Sequence, residues 1–165
     1  MNIAIVIDCW EDKPKNFWQK ILFLIFPTSR FVYLNINRFL NSDLIDIVIV
    51  ASYDDKCTSP IILDTKKPKL FFLDIENLLD LLRNNSIDNI FMCGTAWDVC
   101  VRDRPLGYLK VNEAIQSLGL TTCILVKYNC VKATDESYFK LKYNKDWQIT
   151  NTKGIFKYNP ASRSR

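Results

Sequence analysis

A single-domain, three-layer α/β/α fold on a mainly parallel, doubly wound sheet is predicted by three features of the sequence. Short apolar runs rich in β-branched residues occur at Asn2–Ile7, Ile45–Ala51, Ile87–Cys93 and Thr122–Lys127. Segments of helical length separate them, and that alternation is the pattern of βαβ units. The 165 residues, 48% of them hydrophobic, suffice for one core and fall short of two.

Asn2–Ile7 reads as a strand buried on both faces, ending at Asp8. Helical stretches are expected over Lys15–Phe26 and within Phe31–Leu40, with Pro27 between them as a breaker. Ile45–Ala51 is the second strand, closed by the polar loop Ser52–Ser59. Ile61–Leu63 is expected as a short third strand, followed by Lys66-Lys67-Pro68-Lys69. Ile75, Leu78, Leu79 and Leu82 mark one helical face, with Asp74 placed as its cap. After the strand Ile87–Cys93, a helix over Val99–Leu118 and a strand over Thr122–Lys127 follow. Beyond Ala133 the pattern is weaker: a helix, then a short strand near Gly154–Tyr158. The domain is expected to span residues 1–158, leaving 159–165 as a flexible basic tail.

The formal charge of +4 is unevenly spread: residues 140–165 carry +6 and residues 1–139 carry −2. A basic end can meet nucleic acid or acidic lipid, but a solvated terminus explains it more simply, so no nucleic-acid or membrane partner is expected. Six cysteines, at 9, 57, 93, 100, 123 and 130, form no C-x-x-C pair, and three lie in or beside strand-like runs. That is the usage of a reducing compartment, and a soluble cytoplasmic protein is expected. Asp8 interrupts the first apolar run, which argues against a signal peptide. The apolar run Ile21–Phe26 falls far below the roughly 20 residues that span a bilayer. Histidine is absent. Ser-His and Cys-His pairs are thereby excluded and the commonest zinc ligand is removed, so neither metal nor cofactor is expected.

Ligands of doubly wound sheets sit beyond the carboxyl ends of the strands, which directs attention to Asp8, Tyr53–Asp55, Lys66–Lys69 and the turn Gly94–Cys100. Cys100 is placed near a helix start, where unpaired amides and the helix dipole stabilise a thiolate. The same amides suit an oxyanion. Against this stands a buried structural thiol, the commoner fate of a lone cysteine. Asp8 suits a base toward a thiol or a loop cap, and Lys67 a partner for Asp8 or an exposed charge.

The stretch G-T-A-W-D-V-C-V at 94–101 resembles the nucleophile turn of the isochorismatase-like cysteine hydrolases, G-x-x-T-D-x-C-V. The preceding L-L-D-L-L-R-N-N-S-I-D-N-I-F-M-C-G is similar to that family's lead-in, and I-A-I-V-I-D to its first strand. The resemblance covers roughly residues 2–130. It implies an Asp8–Lys67–Cys100 triad in which the thiol attacks, the carboxylate takes its proton and the lysine holds the charge; Lys66 and Lys69 compete for the lysine position. It also implies a cis Thr95–Ala96 peptide that aims the Ala96 and Cys100 amides at one oxyanion. A homo-oligomer, dimer or larger, is implied too.

The chain departs from the family pattern in several places. Asp8-Cys9-Trp10 lacks the glutamine of D-x-Q, and the loop S-Y-D-D-K-C-T-S has no histidines for a nicotinamidase-type metal. After Cys100 the sequence V-R-D-R-P-L-G marks a subgroup. There Arg102 and Arg104 either meet an anionic substrate or pair with Asp98 and Asp103. Trp97, Trp10 and Arg104 are the candidate substrate-binding residues. The reading is a metal-independent cysteine hydrolase of a C–N bond, amide- or ureido-like, in a small molecule. The alternative is an inactive relative that binds a ligand or partner. The enzyme reading requires Asp8, Lys67 and Cys100 to converge; a Cys100 sealed under apolar side chains, or a Lys67 pointing to solvent on the far side, puts the inactive relative in its place.

Overall fold

The structure, a computed structural model, describes residues 1–8, 17–18, 21, 28–53, 64–94, 97–131, 147–149 and 155–158. Strands β1 (Asn2–Ile7), β2 (Ile47–Ala51), β3 (Lys69–Phe71), β4 (Asn89–Gly94), β5 (Cys123–Val131), β6 (Trp147–Ile149) and β7 (Ile155–Tyr158) form one sheet. Their order is β3-β2-β1-β4-β5-β7-β6. The first five are parallel; β7 runs antiparallel to β5, and β6 to β7. Chain order runs outward from β1 in both directions, so the topological switch point lies between β1 and β4.

The period-2 alternation of a strand explains the two faces of β1. Ile3, Ile5 and Ile7 point into one core with Leu78 and Leu82 of α2 (Ile75–Asn84) and Val111 and Ile115 of α3 (Tyr108–Ser117). Ala4 and Val6 point into the other with Ile36, Phe39 and Leu40 of α1 (Thr28–Leu40). Each isoleucine contributes roughly 2 kcal/mol by leaving water. The three-layer architecture therefore follows from an apolar β1 that no single layer of helices can cover. Among the described residues no helix is long and apolar enough to cross a membrane.

Several expected elements move. Asp74 caps α2 as expected, its carboxylate accepting the Asn77 amide at 3.1 Å. The strand beside β2 is Lys69–Phe71, whereas Ile61–Leu63 falls outside the described residues. The helix expected over Val99–Leu118 is broken. A five-residue π-helix, Trp97–Val101, and a tight loop precede α3, because Pro105 and Gly107 interrupt a continuous α-helix. Strand β5 runs past Lys127 to Val131, and its register with β4 shifts between Met92 and Gly94. The final strand expected near Gly154–Tyr158 is β7; β6 has no sequence signal strong enough to announce it. The helix expected over Lys15–Phe26 lies almost wholly outside the described residues, as does 159–165.

Gly94 ends β4 and starts the turn toward Cys100. A Cβ there would lie 2.5 Å from the Ile7 carbonyl oxygen and 2.6 Å from Val101 Cγ2. The carbonyl belongs to paired backbone and cannot swing aside, so the end of β4 can press against the end of β1 only without a side chain. Gly94→Ala should therefore destabilise the fold by about 2 kcal/mol or more. Urea unfolding checks this, and a loss below about 0.5 kcal/mol would mean that the close approach is not required.

Candidate functional site

Asp8 lies one residue past β1, at the switch point, with 0% of its surface exposed. Its φ of 44° is left-handed, which aspartate tolerates better than most residues. Its amide donates to the Ala51 carbonyl at 2.9 Å. Of its carboxylate oxygens, Oδ1 accepts the Tyr53 amide at 2.8 Å, and Oδ2 accepts Arg104 Nε at 2.7 Å. A buried carboxylate needs such partners, because an unpaired one costs several kcal/mol.

Arg104 comes from the loop between the π-helix and α3. The loop folds tightly: the Arg104 amide donates to the Cys100 carbonyl and the Gly107 amide to the Arg104 carbonyl. Gly107 caps α3 with no room for a side chain, since a Cβ would sit 2.6 Å from the Arg102 carbonyl oxygen. Tyr53 braces the loop from the far side. Its phenolic oxygen accepts the Leu106 amide at 3.1 Å, and its ring lies 5.6 Å from the Arg104 guanidinium carbon. Burial pushes the phenol up to about 12, against the Leu106 hydrogen bond, so it stays neutral at ordinary pH.

The Cys100 thiol lies near enough to both Asp8 and the Arg104 guanidinium for each to act on its proton affinity. The sequence predicts a thiolate favoured by a helix start, and the structure reverses that. Burial first, then the neighbouring Asp8 carboxylate, raise the thiol to about 11, and Arg104 only partly opposes them. The resting group is a thiol with a base beside it.

The lysine expectation fails on topology. Lys67 precedes β3, whereas Asp8 and Cys100 follow their strands. The Pro68 carbonyl accepts the Val48 amide, level with Ala4 of β1. Lys67 thus sits at the opposite edge of a parallel sheet, roughly 20 Å along the strand direction from Asp8. Its amide bonds Thr65 Oγ1, and the ion pair to Asp8 comes from Arg104. Lys66 shares that edge, its amide tied to Asn41, and Lys69 opens β3 two strands from β1. The expectation placed Lys67 after a strand at Ile61–Leu63, which lies outside the described residues; the strand seen beside β2 follows Lys67 instead.

Trp97 is 3% exposed and packs on Tyr108 in the core; an indole so enclosed lines no open pocket. Trp10, Ala96 and the Thr95–Ala96 peptide lie outside the described residues. Of the two arginines, Arg102 pairs with Asp103, as expected, in a two-bond fork that holds that carboxyl below its usual range. Arg104 instead crosses to Asp8, 96 residues away in the chain. Sequence reasoning missed Tyr53 as a brace; its place at a strand end was the available signal. Among the described residues no group of three or more metal-ligating side chains converges.

No protein-family model matches the chain, and no curated protein matches it. A solved structure described as MAR1 ribonuclease from Caenorhabditis elegans is similar at 15% identity with a TM-score of 0.42. The match covers 80% of this chain and 65% of that one. The functional reading rests on the residues of the site.

Removing the Asp8 charge should lower the thiol's pKa. Asp8→Asn is expected to speed alkylation of Cys100 by iodoacetamide at pH 8 by about tenfold, read by peptide mass spectrometry. An unchanged or slower rate would separate the two groups. Both Cys100 and Tyr53 hold protons more tightly folded than unfolded, so their contribution to stability is present below pH 9 and lost as pH rises through about 12.

Proposed function

We propose that the protein is a metal-independent cysteine hydrolase of a C–N bond, amide- or ureido-like, in a small molecule. The observation that carries this reading is a buried carboxylate at a topological switch point, paired with a guanidinium and neighboured by a thiol. The resemblance of Gly94–Val101 to the isochorismatase-like nucleophile turn supports it, and the guanidinium takes the place that the family gives to lysine.

In the proposed reaction Asp8 takes the Cys100 proton as the sulfur attacks the carbonyl carbon. Arg104 then balances a charge that passes from carboxylate to developing oxyanion, and the Ala96 and Cys100 amides are the proposed donors to that oxyanion. Collapse breaks the C–N bond, and the amine leaves with the proton held by Asp8. Water, deprotonated by Asp8, attacks the thioester-like intermediate, releases the acid and restores the thiol. The same reading carries a cytoplasmic homo-oligomer with no cofactor.

Two observations favour the inactive binding protein: Lys67 lies at the far end of the sheet, and Cys100 is as enclosed as Trp97, 3% exposed within the apolar core. An Asp8 already neutralised by Arg104 would suit a structural ion pair equally well. The two readings diverge on Cys100→Ala. Under the hydrolase reading this variant loses at least about 1,000-fold in turnover on a substrate found by screening amides and ureides, while its unfolding midpoint stays close to that of the parent. Retained turnover would remove the cysteine from the mechanism.

A further inference from the structure

Tyr53 contacts every part of the site except the sulfur itself. Its amide holds Asp8 Oδ1 at 2.8 Å, its ring faces the Arg104 guanidinium at 5.6 Å, and its phenolic oxygen accepts the Leu106 amide at 3.1 Å. The residue stands two positions past β2, so its amide meets the end of β1 while its side chain meets the loop that carries Arg104. Leu106 is fully buried, and the turn is closed by its own backbone bonds from Arg104 and Gly107. Arg104 itself is 36% exposed and reaches Asp8 through Nε alone. A long side chain held by one hydrogen bond retains rotational freedom unless something fixes its plane.

We propose that Tyr53 is a positioning residue of this site: it holds the Arg104 guanidinium in the plane where it serves both Asp8 and the Cys100 sulfur. The proposal rests on the hydrolase reading for its purpose, but its test needs no turnover. The phenolic oxygen fixes the loop, and the ring face fixes the guanidinium by cation–π attraction. The two contributions are separable, because phenylalanine keeps the ring and leucine keeps neither.

The experiment measures the pH profile of Cys100 alkylation by iodoacetamide, resolved from the other cysteines by peptide mass spectrometry. The profile's midpoint is the readout, since absolute rates also reflect access. Arg104 holds the thiol's affinity for its proton down, so loosening Arg104 moves the midpoint to higher pH. Tyr53→Phe should shift it upward by about half a unit and Tyr53→Leu by about one, with Arg104→Gln shifting it at least as far. In an Arg104→Gln background Tyr53→Leu should add no shift, because Tyr53 acts through Arg104. Circular dichroism verifies that each variant is folded, and Tyr53→Phe keeps the test open should the leucine variant fail to fold. A parental midpoint in folded Tyr53→Phe and Tyr53→Leu would overturn the proposal. So would a Tyr53 effect that persists without Arg104. The absence of any hydrolysed substrate would count against the enzyme and leave this result standing.

Discussion

The ion pair between Asp8 and Arg104 is the constraint on which the site depends. A carboxylate with no exposed surface must find compensating charge and hydrogen bonds, and each one it finds here fixes another piece of the chain. The Tyr53 amide ties down the end of β2. The guanidinium draws the loop after the π-helix across the end of the sheet. The left-handed backbone at Asp8 turns the chain at the edge where β1 ends.

The sheet supplies the place, and the breaks in regularity bring the polar side chains to it. Continuous apolar strands with helices on both faces give a rigid three-layer body, whose order reverses direction beside β1. At that reversal Gly94 allows backbone to touch backbone, and the π-helix that follows brings Cys100 over Asp8. π-Helical segments are rare and concentrate at functional sites, so this departure from α geometry belongs to the site as much as the side chains do.

What was legible in the sequence was what short-range patterns encode. The β1 run, its terminal Asp8, the Asp74 cap and the Gly94–Cys100 turn each announce themselves within a few residues. The three residues of β3 carry too little pattern to announce a strand, so nothing in the sequence showed that Lys67 precedes one. Arg104 was visible as a charge, and its partner was not. Its neighbour Arg102 does pair locally with Asp103, and nothing in composition says that the next arginine reaches across the sheet. Likewise Pro105 and Gly107 were readable as interruptions of a helix, but the π-turn they accompany is a product of tertiary packing.

The most direct measurement is a double-mutant cycle on Asp8→Asn and Arg104→Gln, with urea unfolding at pH 7 as the readout. A pair that organises the site should couple by about 2 kcal/mol or more, because either single change leaves the other group stranded. Effects that add to within about 0.5 kcal/mol would mean that the two side chains fold independently, and the account of the site built on their contact would be contradicted.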